Sequence, residues 1–228
     1  MIEGSDHCLL PPDWTDRERE ASLATRPPAS LGVWAALARE RGRFLLTETD
    51  TTYGSDLLTY LELGFRRGGG DAEGVFEAWS VSGRATVLRL DFSRLYVVSD
   101  DESIDIVGEG LKSLLAEALA REARAMAGDG WEAILDGFLA SSPEASVVLL
   151  IDRADVPLLD ALADPAVLMR IESHYKSLAR VIARRRSHCR LVVTTQSVAF
   201  PVTSVEGAVS LTRERLECFI ERQMNSTA

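Results

Sequence analysis

The stretch Ser146-Val147-Val148-Leu149-Leu150-Ile151-Asp152-Arg153-Ala154-Asp155 decides the fold of this chain. Five consecutive apolar residues, 147–151, run directly into an aspartate. Such a run predicts a strand that is buried on both faces, as in a parallel sheet. Asp152 then stands at the carboxyl end of that strand, the edge where open α/β sheets bind their ligands.

Helices and strands alternate on both sides of this stretch. Apolar residues at helical spacing predict helices at 31–41, 56–67, 101–127, 131–139, 158–186 and 212–222. Further strands are predicted at 43–47, 85–92, 190–195 and 208–211. The alternation indicates an α/β fold with a mostly parallel sheet of about five strands, covered by helices on both faces.

Composition indicates one globular domain. Of the 228 residues 46% are hydrophobic, which is enough for a sizeable core. The first thirty residues are polar and contain Pro11-Pro12 and Pro27-Pro28, so we expect an N-terminal arm at 1–30 and one domain at 31–228.

Charge and cysteine content narrow the possible partners and the compartment. A formal net charge of −10 argues against nucleic-acid binding, and the basic stripe of Arg180 and 184–186 is interpreted as a solvated helix end. Cys8, Cys189 and Cys218 are widely spaced, which favours a reduced, cytoplasmic or otherwise intracellular protein. No signal-like segment and no run of eighteen apolar residues is present, so we expect no membrane passage.

The loop after the first predicted strand has the length of a phosphate-binding loop. Gly54 lies where the last glycine of such a loop belongs, but Ser55 replaces the lysine and Asp56 replaces the Ser or Thr that reaches Mg²⁺. Glu48 and Asp50 add further negative charge. The alternative interpretation is a surface loop that leads into an Asp-rich helix N-terminus.

With these segments in place, the chain resembles the AAA-ATPase-like family, whose P-loop domain usually precedes a PD-(D/E)xK nuclease-like domain. The family's Leu-Leu-Ile-Asp-Glu-Tyr-Asp-x-Pro-Leu motif is matched by 149–158 at eight of ten positions, and its hydrophobic-Asp-Phe-Ser motif by 90–93. In its Arg-Pro-Arg-Arg-Phe-Gly-Lys-Ser/Thr loop only the glycine matches, as Gly54. Its Val-Thr-Gly-x-Ser-Arg/Lys-Phe motif corresponds to 193–200, where the cation is missing.

The resemblance implies a three-layer P-loop NTPase-like fold in which the Asp152 strand is central, beside the strands that end near Thr47 and Thr194. It also implies that Asp152 would hold Mg²⁺ and that Arg153 replaces the catalytic glutamate. We therefore expect a degenerate member that lacks the nuclease part, with the nucleotide site formed by Gly54, Ser55, Asp56, Asp91, Asp152, Arg153 and Asp155.

If a cation binds at this edge, Asp91 and Asp152 are the pair of carboxylates that would hold it. Two of the aspartates also have a purely structural interpretation. Asp91 is otherwise a turn residue at a strand end, and Asp155 a cap for the helix that begins near Pro157. Ser173-His174-Tyr175 does not indicate a catalytic triad, because adjacent helical residues point in different directions.

The sequence thus favours a catalytically inactive, ATPase-like domain that binds a protein or has a regulatory role, and no cofactor is expected. One alternative is a weak or unconventional nucleotide-binding ATPase that uses ATP and Mg²⁺. The other is an acidic inhibitor that imitates nucleic acid. We further expect Leu150→Asp to abolish folding and Asp152→Asn to be tolerated.

Overall fold

The computed structural model describes residues 43–47, 55, 58, 59, 61, 62, 65, 66, 85–95, 105–124, 128–195 and 209–212. The strands are β1 Arg43–Thr47, β2 Thr86–Asp91, β3 Val147–Asp152, β4 Cys189–Thr195 and β5 Val209–Thr212. They form one sheet in the order β2-β3-β4-β1-β5, and every neighbouring pair is parallel. The predicted α/β fold with a parallel sheet is confirmed. The predicted arm at 1–30 and the helix at 31–41 lie outside the described residues.

β3 lies inside the sheet, as its apolar run requires. All six of its residues are buried. Its neighbours are β2 and β4, so the expected pairing with β4 is correct and the expected pairing with β1 is wrong. β4 lies between β3 and β1 and is itself the middle strand. A run of apolar residues requires neighbours on both sides, but it does not determine which strands those neighbours are.

The described helices are α1 Ile106–Arg121, α2 Trp131–Ser141, α3 Val156–Asp160 and α4 Pro165–Arg184. Asp105 caps α1, because its side chain accepts a hydrogen bond from the Gly108 amide at 3.0 Å. α1 ends ahead of Ala123, which has a left-handed φ of 52°. Longer boundaries, 101–127, were predicted for this helix, and 101–104 and 125–127 lie outside the described residues.

The long helical region predicted at 158–186 is helical over most of its length, but the structure divides it into α3 and α4. Asp164 accepts hydrogen bonds from the amides of Ala166 and Val167 at 2.9 and 3.1 Å, so it caps a new helix. Pro165 occupies the first position of α4, where its missing N–H costs no hydrogen bond. In the part of the chain that the structure describes, no helix has both the length and the apolar character needed to cross a bilayer.

The two faces of the sheet differ in chemistry. One face packs Leu88, Leu90, Leu149 and Ile151 into the apolar core that α1, α2 and α4 complete. On β2 and β3 the opposite face carries the alternate residues, which are Val87, Arg89, Asp91, Val148, Leu150 and Asp152. The described helical residues between 55 and 66 lie over this second face, where their polar side chains contact the strands. The candidate site lies in this layer.

Candidate functional site

The carboxyl ends of β2 and β3 lie side by side, and each strand ends in an aspartate. Asp91 and Asp152 are register partners, so their side chains leave the same face at the same edge. After β1 the chain crosses to β2 at one end of the sheet, whereas after β4 it crosses to β5 at the other. The topological switch point, where sheets of this kind bind ligands, therefore lies between β1 and β4, one strand away from the Asp152 end of β3.

Asp152 is almost completely buried and is neutralised from within the molecule. Its side chain is 2% exposed. Oδ2 accepts a hydrogen bond from an Arg89 Nη at 2.8 Å, and Oδ1 accepts one from the Ser55 hydroxyl at 3.0 Å. Both oxygens of this buried carboxylate are therefore already occupied by donors of the protein itself, a guanidinium and a hydroxyl.

The Arg89 guanidinium is fixed by several acceptors at once. Besides Asp152, it donates to the Thr59 hydroxyl at 2.6 Å and to the Ser55 carbonyl at 3.2 Å. The Glu62 carboxylate lies 3.6 Å away and adds a second negative charge. A guanidinium has five N–H groups in a rigid plane, so acceptors on both the sheet and the helix hold it in one position.

The polar contacts continue from Glu62 towards the end of α1. Arg66 contacts Glu62 at 3.0 Å and Glu122 at 2.6 Å, and it reaches the Val87 carbonyl at 3.5 Å. Glu122 is the C-cap residue of α1. Alternating carboxylates and guanidiniums therefore connect β3, β2, the described helical residues between 55 and 66, and α1.

Arg153 pairs with the other aspartate of the strand edge. It donates to Oδ2 of Asp91 at 2.7 Å, and its backbone has a left-handed φ of 51°. A non-glycine residue in that conformation costs about 1–2 kcal/mol, and such residues are concentrated at functional sites. Asp91 also accepts hydrogen bonds from the amide and hydroxyl of Ser93, which fits its interpretation as a turn residue.

Asp155 has a different role from the one predicted. It stands at the N-cap position of α3, but its side chain makes no capping hydrogen bond. The side chain is buried beside Tyr175 instead, and burial together with the Asp155 charge holds the pKa of the Tyr175 hydroxyl well above its usual value. That hydroxyl therefore remains a donor, and it bonds the Ala154 carbonyl at 2.5 Å.

The structure brings four of the seven predicted site residues together. Ser55 and Asp152 form one contact, and Asp91 and Arg153 form another. Asp155 follows β3 at the same edge, whereas Gly54 and Asp56 lie outside the described residues. Sequence reasoning did not identify Arg89, although an arginine between Leu88 and Leu90 in a buried strand is an unusual residue that requires a partner.

His174 forms a second polar cluster, with Trp131 and Asp105. The indole N–H of Trp131 can only donate, and it lies 3.2 Å from Nδ1 of His174. Nε2 therefore carries the proton and donates to Asp105 at 2.9 Å. Although burial opposes ionisation, the hydrogen bonds from Gly108 and His174 hold the pKa of Asp105 below its ordinary value. Both ring nitrogens are thus engaged, and His174 does not activate a nucleophile.

The donor set of the strand edge does not suit a divalent cation. Asp91 and Asp152 each already contact a guanidinium, and the third carboxylate at this edge, Asp155, is buried beside Tyr175. Among the residues that the structure describes, no group of three or more His, Cys, Asp or Glu side chains converges as metal ligands would. A metal ion here would have to displace an arginine from a carboxylate.

No protein-family model and no curated protein matches this sequence. A chain in a solved structure titled "Structure of Drosophila ORC bound to GC-rich DNA and Cdc6" is similar to it at a TM-score of 0.45 and 14% sequence identity. That similarity covers 93% of the present chain and 62% of the Drosophila structure's chain.

Proposed function

We propose that the chain is a catalytically inactive, P-loop ATPase-like domain that acts by binding another protein or by regulating it. The observation that carries the proposal is the Arg89–Asp152 ion pair at 2.8 Å. By the resemblance, Asp152 corresponds to the aspartate that holds Mg²⁺ in active members of the family. In this chain the Arg89 guanidinium contacts that carboxylate instead.

Electrostatics explains why the pair opposes metal-dependent chemistry. Two like unit charges 4 Å apart repel by about 4 kcal/mol at an effective dielectric constant of 20, and a divalent ion doubles that cost. The Arg89 side chain is only 19% exposed, so water screens it poorly. Mg²⁺ at Asp152 would need to overcome this repulsion or to displace Arg89 from Thr59 and the Ser55 carbonyl.

Arg153, which follows Asp152 at the end of β3 and pairs with Asp91 of β2, supports the same conclusion. Hydrolysis of a nucleotide needs a group that positions the attacking water, and the resemblance places a glutamate at this position. A guanidinium keeps its proton at all accessible pH values and has no acceptor, so it cannot act as a base. Its contact with Asp91 gives it a structural role.

A protein partner is the remaining part of the proposal. A fold does not depend on the chemistry of its site. A parallel sheet whose edge carboxylates are paired with arginines therefore serves as a binding scaffold. The net charge of −10 disfavours a nucleic-acid ligand. We therefore expect a domain without nucleotide hydrolysis to act by binding another protein with its surface.

The experiment that tests the proposal measures ATP and GTP turnover with Mg²⁺, together with melting temperature at increasing nucleotide concentration. We expect turnover at the level of a buffer blank and no concentration-dependent rise in melting temperature, since a ligand that binds the folded state raises it. Asp152→Ala is the control. Turnover by the wild-type chain that this variant abolishes would overturn the proposal.

A further inference from the structure

Among the residues whose exposure the structure describes, which leave out 43–47, 191–195 and 209–212, every exposed large apolar side chain lies within one short stretch. Leu159 is 43% exposed, Leu162 is 66% exposed and Met169 is 67% exposed. They belong to α3, the turn after it and the start of α4. We call these three residues the 159–169 patch. Exposed apolar side chains that follow one another so closely along the chain are a candidate interaction surface.

The patch is not a remnant of an incompletely packed core. Pro157 and Leu158 fill the buried side of α3, and Val167 and Ile171 fill that of α4. The helices have therefore already buried an apolar face each, and the patch residues are additional. α3 begins four residues after Asp152, so the patch lies near the edge of the sheet where parallel α/β folds bind their ligands.

The charges around the patch indicate what kind of partner fits it. Asp160 and Asp164 are exposed and lie between the apolar residues along the chain. The nearby cation of Arg170 interacts electrostatically with Asp105. Exposed acidic residues thus alternate along the chain with the exposed apolar residues of the patch, on a chain whose net charge is −10.

From these observations we propose that the 159–169 patch docks a basic, amphipathic segment of a partner protein. The partner's apolar residues would contact the three patch residues, and its Lys or Arg residues would face Asp160 and Asp164. A second copy of this acidic chain is disfavoured by like-charge repulsion, and an anionic membrane is disfavoured for the same reason. The inference rests on the protein-binding part of the proposed function and gives it a surface.

The test uses a random peptide library of about twelve residues displayed on phage, selected on the full wild-type chain. Peptides that bind the double variant Leu162→Ser with Met169→Ser are removed first. Both substituted side chains are mainly exposed, so this variant should keep the wild-type circular dichroism spectrum and melting temperature. We expect enriched peptides with apolar residues three or four apart and Lys or Arg between them.

The affinity of the strongest selected peptide then separates the apolar from the electrostatic contribution. We expect the Leu162→Ser with Met169→Ser variant to weaken binding at least about tenfold, as loss of central apolar anchors does. Asp160→Asn with Asp164→Asn should weaken it about threefold or more and reduce its dependence on salt.

The charge variant is designed to keep the fold intact. Asp164 caps α4 through its side chain, and asparagine is as good a cap as aspartate, so Asp164→Asn removes the charge and keeps the cap. The exposed pair Glu132→Gln with Glu144→Gln makes the same charge change elsewhere on the surface. This control should alter the affinity less than about twofold.

Two outcomes would overturn the inference. One is a selection whose enriched peptides are acidic, or bind the Leu162→Ser with Met169→Ser variant as well as the wild type. The other is a wild-type dimer in sedimentation that this variant dissolves, because the occupant would then be a second copy. Neither result involves nucleotide turnover, so failure here is distinguishable from failure of the inactive-domain proposal.

Discussion

Arg89 determines the charge balance of the strand edge, so its removal should have a large effect. Arg89→Gln leaves the Asp152 carboxylate buried with its main cationic partner gone. Breaking a buried ion pair in this way typically costs about 3–5 kcal/mol. We expect a loss of that size in the free energy of unfolding, measured by urea denaturation.

The matched control is Arg89→Gln combined with Asp152→Asn, which removes both charges. It should recover part of the lost stability, since no unpaired charge remains. Arg89 also revises the expectation that Asp152→Asn alone is tolerated, because that change leaves a mainly buried guanidinium facing a neutral amide. Equal stability of all three variants and the wild type would show that the pair contributes nothing.

Asp136 gives a prediction about acid stability. Hydrogen bonds from Arg185 at 2.9 and 2.8 Å, the largest cause, hold the pKa of Asp136 below its ordinary value of 3.8. Because the folded-state pKa is depressed, the contribution is complete above pH 3.8 and is lost as pH falls below it. Asp136→Asn should therefore flatten the acid limb of melting temperature against pH. An unchanged acid limb would contradict the role of this pair.

At the residue scale, the sequence predicts which positions carry charge at the strand edge but not their partners. Asp91, Asp152 and Arg153 were identified from their positions after apolar runs. Their pairing depends on strand order and on the left-handed φ of Arg153, which local patterns do not encode. The role of Arg89 could not be predicted from the surrounding sequence, because the acceptors of its hydrogen bonds lie 30 to 63 residues away in the chain.

At the element scale, backbone geometry at the end of α1 decides whether a glycine substitution raises or lowers the stability of the fold. Ala123 has a φ of 52°, a conformation that glycine adopts without strain. Ala123→Gly should therefore stabilise the fold by about 0.5–1 kcal/mol. Ala116→Gly, at an exposed position inside the same helix, should destabilise it by about 1 kcal/mol. Chemical denaturation measures the free energy of unfolding of both variants. A change in the same direction for both would contradict the left-handed conformation of Ala123.

The boundaries of elements show where sequence patterns suffice. β3 and β4 were predicted to within a residue, because apolar runs bounded by polar residues define buried strands. The division of 158–186 into two helices was missed, although Asp164-Pro165 is a cap followed by a residue favoured at the first helical position. Apolar periodicity continues across the break and masks it, because both helices pack on the same core.

At the scale of the whole molecule, burial should decide the outcome of two identical substitutions. Leu150 is fully buried in β3. The free-energy cost of burying an unpaired aspartate there is several kcal/mol, which is comparable with a total stability of roughly 5–15 kcal/mol. We expect Leu150→Asp to abolish folding and Leu162→Asp, at a position 66% exposed, to leave the melting transition intact. Solubility and circular dichroism measure both, and a cooperative melt of Leu150→Asp would refute the placement of β3.

The fold class could be predicted from the sequence because alternation of buried strands and amphipathic helices is a property of the whole chain. The order of strands could not, since the same pattern of elements is compatible with several parallel arrangements. The P-loop assignment and the inactive function remain predictions. They depend on how residues distant in the sequence meet at the strand edge.

The central claim is that the strand-edge carboxylates are already neutralised by Arg89 and Arg153. The most direct measurement is a titration of the wild-type chain with Mn²⁺, followed by electron paramagnetic resonance of the free ion. The account predicts no saturable binding up to about 1 mM, because both carboxylates contact guanidiniums. Saturable binding at micromolar Mn²⁺ that Asp152→Asn abolishes would contradict it.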